Sequence, residues 1–331
     1  MSERLFPTRV AAIWAAALVV LAVMAFAAIT LVNHKVFGPA QQVKELQGHL
    51  SKGEGAAALG LLNAKVPKGN ALLLDGEGLK ASMADVQDFT LDKPEVVPGN
   101  EDLATVTAHY SIHGVEQHTD YNLHRTGTQW LFFDQWEFIP TTLPTVAIFA
   151  NTTNEVVVNS LPAPLVKGKT NVPVFVPAVI DTSFATTNFS ADSRGLAVTA
   201  FTKDPAEVKL RTQPTKKLLD EVNKEIAAYL DSCTEQQVLM PSGCPMSYST
   251  TARVRSDSIH WSVLDYPSPK IVSFDGSWAL RPLKVKVRLE LTEQDLRTGR
   301  YTEQTVDESF GFTAVLKAST TKVSVTPVSS E

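Results

Sequence analysis

The sequence predicts an α+β protein whose folded part follows a single membrane-spanning helix. Three observations carry this reading. An uncharged apolar run opens the chain. Helical periodicity is followed by period-two alternation at residues 40–142, and that order returns in the last third. Between them lies a Val-, Thr-, Asn- and Pro-rich block with almost no helical periodicity.

The run from Val10 to Val32, "VAAIWAAALVVLAVMAFAAITLV", holds 23 residues and no charge. At about 1.5 Å per residue, it is long enough for a hydrocarbon core of roughly 30 Å. Trp14 suits an interfacial anchor, and Arg4 and Arg9 precede the run while Lys35 follows it. That bias places residues 1–9 in the cytoplasm and the rest outside it. A cleaved signal peptide is the rival reading, because Ala25-Phe26-Ala27 is a small-x-small triplet. Apolar residues continue through Ile29, Leu31 and Val32, which favours an uncleaved anchor. Either way the remainder is exported, and the lipid bilayer is the expected partner of residues 10–32.

A linker at 33–39 leads to an α+β domain at 40–142. Val43, Leu46 and Leu50 form a stripe at helical spacing, and a second helix starts near Ala56. Strands are expected at 84–91, 103–112, 115–125 and 129–138. Ala104, Val106, Ala108, Tyr110 and Ile112 alternate with polar neighbours, so one face is buried. His113-Gly114 suits a two-residue hairpin turn. The block 144–203 reads as a small all-β module, with strands in "TVAIFAN", "NEVVVNS", "NVPVFVP" and "GLAVTAF". A second α+β domain is expected at 204–331. Its helix starts with Pro214 in the first turn and buries Leu218, Leu219, Val222, Ile226, Tyr229 and Leu230. Strands follow at 258–264, 270–274, 278–291, 300–317 and 321–328, with a hairpin turn at Thr298-Gly299.

The only two cysteines, Cys233 and Cys244, flank "TEQQVLMPSG". An exported chain meets an oxidising compartment, and Pro241, Gly243 and Pro245 turn the loop back, so a structural disulfide is expected. A zinc site usually has four ligands and a redox pair a two-residue spacing, and neither pattern is present.

Net charge is −5, which argues against a broad nucleic-acid surface. No nucleotide loop, Ser-His-Asp order or metalloprotease motif occurs, and no cofactor is implied. If the His113-Gly114 turn holds, His109 faces His118 and Thr107 faces Asp120. His109, His118 and Asp120, with Glu116 on the same face, form a candidate divalent-metal site; a solvated polar face satisfies the same alternation. "QWLFFDQWEF" packs five aromatics into ten positions, read as core, with any exposed subset able to meet sugars or a protein partner. Trp261, Tyr266 and Trp278 carry the same two readings. Asn151 and Asn188 head glycosylation sequons, relevant only in a eukaryotic secretory setting.

"LSKGEGAAALGLL" and the strands through "HRTGTQWLFFDQWEF" resemble the nuclear-transport-factor-two-like (cystatin-like) domains of secreted and membrane-anchored bacterial proteins. "CTEQQVLMPSGCP" resembles a Cys-loop of actinobacterial membrane proteins of this build. Teicoplanin-resistance-associated envelope proteins, a more distant analogue, also hang such domains outside a single span. The resemblance implies a concave sheet face that serves as a cavity, with a carboxylate there acting as a base in some enzymes. Asp134, between Phe132 and Trp136, is the matching residue, so Asp134 and Trp136 form a candidate ligand pocket. The expected function is a non-enzymatic, membrane-anchored envelope protein that binds a cell-wall or membrane-protein partner. A ligand-binding sensor and an enzyme at the histidine face or Asp134 are the alternatives.

Overall fold

The computed structural model describes residues 8–32, 37–129, 133–274, 277–319 and 322–328. It is an α+β protein with mostly antiparallel sheets and one N-terminal apolar helix. Helix α1 (Thr8–Val32) covers the apolar run, and none of its Ala12–Ile29 stretch is buried against protein. It is long and apolar enough to cross a membrane, and a signal sequence has the same character.

Helix α2 (Pro39–Lys52) begins with proline, whose missing N–H costs nothing there. It stops at Gly53, whose φ of +74° lets its N–H reach the last carbonyls. The stripe Val43, Leu46 and Leu50 is fully buried. Helix α3 (Gly55–Leu62) ends on Asn63 in the left-handed region. A further helix, α4 (Gly76–Met83), is absent from the sequence reading because Gly76 and Gly78 weaken its helical signature. Gly78 is required by packing: a Cβ there would collide with the Leu72 carbonyl.

Strands β1 (Val86–Leu91), β2 (Glu95–Val97), β3 (Asn100–Ile112), β4 (Val115–Gln129) and β5 (Phe133–Phe138) form an antiparallel sheet. Its order is β1-β3-β4-β5, with the unforeseen β2 also on β3. His113 and Gly114 both have positive φ, and Ile112 lies opposite Val115, as the hairpin reading requires. The buried residues of α2, α3 and α4 pack with Ala104, Val106, Tyr121, Leu123 and Phe138 of the sheet.

The next strands are β6 (Thr145–Ala150), β7 (Glu155–Val158), β8 (Leu161–Pro164), β9 (Lys169–Pro173), β10 (Ala178–Ala185), β11 (Phe189–Val198), β12 (Ala206–Leu210) and β13 (Gln213–Pro214). They build two sheets, β13-β11-β10-β7-β8 and β12-β6-β9, whose buried side chains share one core. The β unit does not stop at 203. Strand β12 lies parallel to β6 and β13 pairs with β11, so pairing carries it to Pro214. "NVPVFVP" is strand only as far as Pro173, and the rest is a loop that delivers Phe175. "GLAVTAF" leaves the sheet after Val198.

Pro214 closes β13 and Thr215 is the N-cap of α5 (Lys216–Thr234), its hydroxyl accepting from the Leu218 N–H at 3.3 Å. This corrects the reading that put Pro214 in the first turn. Leu218, Val222, Ile226 and Leu230 are fully buried, as their spacing predicts. Strands β14 (Arg253–Val254), β15 (His260–Asp265), β16 (Ile271–Phe274), β17 (Ser277–Leu280), β18 (Leu283–Gln294), β19 (Tyr301–Ala318) and β20 (Val323–Val328) follow. The expected run 278–291 is two strands, because Pro282 lacks a ladder donor. The sheet is ordered β14-β18-β19-β20, with β15 also on β18, and α5 packs against β15 and β20. Its buried side chains are continuous with those of the β unit, so residues 144–331 do not have two separate cores. Asn188, 1% exposed, ties the two by donating to the Ser319 carbonyl at 2.8 Å.

The first sheet and the β unit interlock. Phe175, 1% exposed, is a member of the first core, while Leu73 from the α3–α4 connection is a member of the second. Backbone bonds reinforce the exchange, as Asn70 N–H donates to the Asn171 carbonyl at 2.7 Å.

Cys233 and Cys244 form the expected disulfide, with Cα atoms 5.8 Å apart. The loop is anchored further. Tyr229 Oη donates to the Gly243 carbonyl at 2.7 Å and Trp261 Nε1 to the Val238 carbonyl at 2.9 Å.

Two outcomes are expected from guanidinium unfolding of the detergent-solubilised chain. Phe175→Ala should cost about 3–5 kcal/mol, because it leaves a cavity in a core to which Phe175 is foreign in sequence. Cys233→Ser should cost about 3 kcal/mol, chiefly by freeing the unfolded chain. A Phe175→Ala midpoint equal to that of the parent would show that the interlock is not a stability element.

Candidate functional site

The solvent face of the β3–β4 hairpin is a polar ladder whose register matches the sequence reading. His109 lies opposite His118 and Thr107 opposite Asp120. The two imidazole centroids are 6.2 Å apart. These side chains are nevertheless engaged separately. His109 Nε2 lies 2.8 Å from Asp92 Oδ2, and the Thr107 hydroxyl donates to Asp120 Oδ1 at 2.7 Å. The Thr105 hydroxyl likewise donates to Asn122 Oδ1 at 3.0 Å. No group of three or more metal-ligating side chains able to hold an ion occurs among the described residues. The alternation therefore gives a hydrogen-bonded ladder in place of the expected ligand set of His109, His118 and Asp120.

The Asp134 and Trp136 pocket is also replaced. Trp136 is buried in the first core, whose helices and Phe175 fill that face of the sheet. Asp134 stands at its margin, opposite Thr128, and pairs with Arg125 Nη1 at 3.4 Å. Arg125 also reaches Asp102 at 2.6 Å, and that contact first, with Asp134 after it, pushes the guanidinium above its ordinary range. Phe132, the expected neighbour of Asp134, lies outside the described residues, as does Trp130. In the last sheet Trp261 is buried, Trp278 stacks on Phe189 with centroids 4.4 Å apart, and Tyr266 is exposed with its hydroxyl on Asp231.

The cavity that does form, about 420 Å³, lies beside β4 at the junction with the β unit. Residues 117–122 of β4 make one side, 139–141 a second and 199–201 a third. Its apolar lining joins Leu62, Ile139 and Pro140 to three rings, with Phe138 and Phe201 each in a T-shaped pair with Tyr121 at 5.9 Å between centroids. Its polar rim is His118, Asp120 and Asn122. Two hydroxyls that a catalytic reading would want are committed to packing. The Tyr121 hydroxyl donates to the Val176 carbonyl at 2.8 Å, and burial pushes its pKa far up. Thr119 Oγ1 donates to the Thr199 carbonyl at 2.7 Å, so Tyr110 Oη, 2.7 Å away, donates to Thr119. Burial raises the Tyr110 pKa as well. The chain of hydroxyls joins the two units.

A second, shallower cavity of about 660 Å³ runs along the β19–β20 turn, with Trp278, Lys317 and Lys322 among its lining residues.

The sequence reading missed the cleft because its walls come from three separated segments. Only the departure of Thr199–Phe201 from a β-prone run would have marked it.

Tyr121→Phe should destabilise the chain by roughly 1–3 kcal/mol in chemical unfolding, since it strands the buried Val176 carbonyl. An unchanged midpoint would mean that water satisfies that carbonyl. No family model, curated protein or solved structure matches this chain.

Proposed function

We propose that the chain is a single-pass, membrane-anchored binding protein of the cell envelope, non-enzymatic, with its N-terminus cytoplasmic and its folded units outside. The observation that carries this reading is the apolar surface of α1. None of Ala12–Ile29 is buried by the rest of the chain, so about 27 Å of helix needs an apolar surrounding that the protein does not supply. The flanking Arg4, Arg9 and Lys35 favour the stated orientation. The disulfide agrees with an oxidising compartment. Helices α2, α3 and α4 packed on one face of an antiparallel sheet agree with a cystatin-like first unit. A binding role also has the open cleft of about 420 Å³, with Tyr121, Phe138 and Phe201 in its lining, in its favour.

Protease added to intact, wall-stripped cells should remove a tag from the C-terminus. Chemical crosslinking in the same cells should recover an envelope component. A protected tag would sink the topology. A digested tag with catalytic turnover of a small molecule by the purified chain would leave the topology standing and sink the non-enzymatic role.

A further inference from the structure

We infer that the open edge of β4 at residues 116–120 is a strand-addition site for an extended polypeptide in which apolar and cationic residues alternate. This rests on reading the chain as a binding protein.

The edge is open for a local reason. Strand β5 covers β4 only from Leu123 onward. One further bond, Ile139 N–H to the Asn122 carbonyl at 3.0 Å, completes that pairing. Pro140 follows and has no N–H to offer. The chain is then drawn elsewhere: Lys65 N–H donates to the Thr141 carbonyl at 2.8 Å, and Leu143 N–H donates to the Lys65 carbonyl at 3.0 Å.

The register fixes which groups are left over. Ile112 and Val115 close the two-residue turn, so 115, 117, 119 and 121 direct their backbone groups to β3. Residues 116, 118 and 120 direct theirs away from it, as the Asn122 carbonyl does. Among the described residues nothing bonds the outward N–H and C=O groups of His118 and Asp120. Unpaired edges of this kind template an added strand.

The surroundings select the occupant. The edge opens into the cleft of about 420 Å³, walled by Ile139–Thr141 and by Thr199–Phe201. Walls on both sides favour one extended chain over the sheet edge of a second folded copy. A strand laid there puts alternate side chains against the Tyr121, Phe138 and Phe201 rings. The intervening ones fall on the opposite face beside Glu116 and Asp120, for which no ion pair is found among the described residues. The first set must be apolar, and the second is favoured as Lys or Arg.

The test uses the full chain in detergent micelles and a fluorescent, end-blocked peptide of alternating valine and lysine, about six residues long at roughly 3.3 Å per residue. Fluorescence polarisation should show saturable binding that weakens with salt. N-methylation at alternate peptide amides should weaken it by about tenfold or more. Ala200→Trp, which fills the cleft from an exposed position, and Asp120→Lys, which reverses the rim charge, should each do the same. Both variants should keep the parent's unfolding midpoint, and either one that does not is replaced by Glu116→Lys. Binding indifferent to N-methylation and to the substitutions overturns the proposal, as does no binding up to about 1 mM peptide. Self-association of the chain that Ala200→Trp abolishes would assign the edge to a second copy and equally overturn it. Peptide binding by a chain whose C-terminal tag is protease-protected sinks the anchoring alone; absent binding with a digested tag sinks the edge site alone.

Discussion

The exchange of Phe175 for Leu73 between the two cores is the contact on which the rest of the folded body depends. Each side chain is fully buried in a core built by another part of the chain. Removing either leaves a void with walls that belong to both sides. Beside the backbone bond from Asn70 to Asn171, buried hydroxyls from β4 meet backbone carbonyls of the β unit. Tyr121 meets Val176 and Thr119 meets Thr199. Buried donors and acceptors are satisfied only when the two sides are docked, so docking is specified geometrically as well as by apolar area.

The same junction produces the cleft. Phe175 enters the first core while Val174 and Val176 stay in the second, and segment 199–201 lies beside β4. The pull of Lys65 on Thr141 draws the end of β5 away from the sheet edge. A concave space is thus a by-product of how the units are joined, and it sits where the first sheet's inner face, filled by helices, cannot provide one. Farther along, the shared core of the β unit and the last sheet, with α5 against β15 and β20, continues the packing to the C-terminal hairpin.

Much of this was legible locally. Period-two alternation in 104–112 and the His113-Gly114 turn were enough to place His109 opposite His118. The stripe of α5 and the cysteine loop were equally direct, since spacing and turn residues determine both. Helix α4 was hidden by its glycines, and β8, "LPAP", by prolines that an outer strand tolerates. The run "NVPVFVP" reads as one strand because Val and Phe favour strands whether they pair or not. What turns its second half into a docking loop is a core more than thirty residues upstream, and no local pattern encodes that. The partners around the candidate residues were only partly legible. Asp92 and Thr107 claim His109 and Asp120, Arg125 claims Asp134, and the cleft's walls come from three stretches far apart in sequence.

The burial of Asn188 has a practical consequence for anyone producing the protein. Its side-chain amide donates to the Ser319 carbonyl at the seam of β11 and the C-terminal hairpin. Yet Asn188-Phe189-Ser190 is an acceptor triplet for oligosaccharyl transfer, which acts on chains as they emerge. Yeast or mammalian secretion would therefore decorate that nitrogen before the seam closes, and a sugar tree has no room inside it. Bacterial hosts, or replacement of Ser190 by alanine at its half-buried site, keep the seam intact.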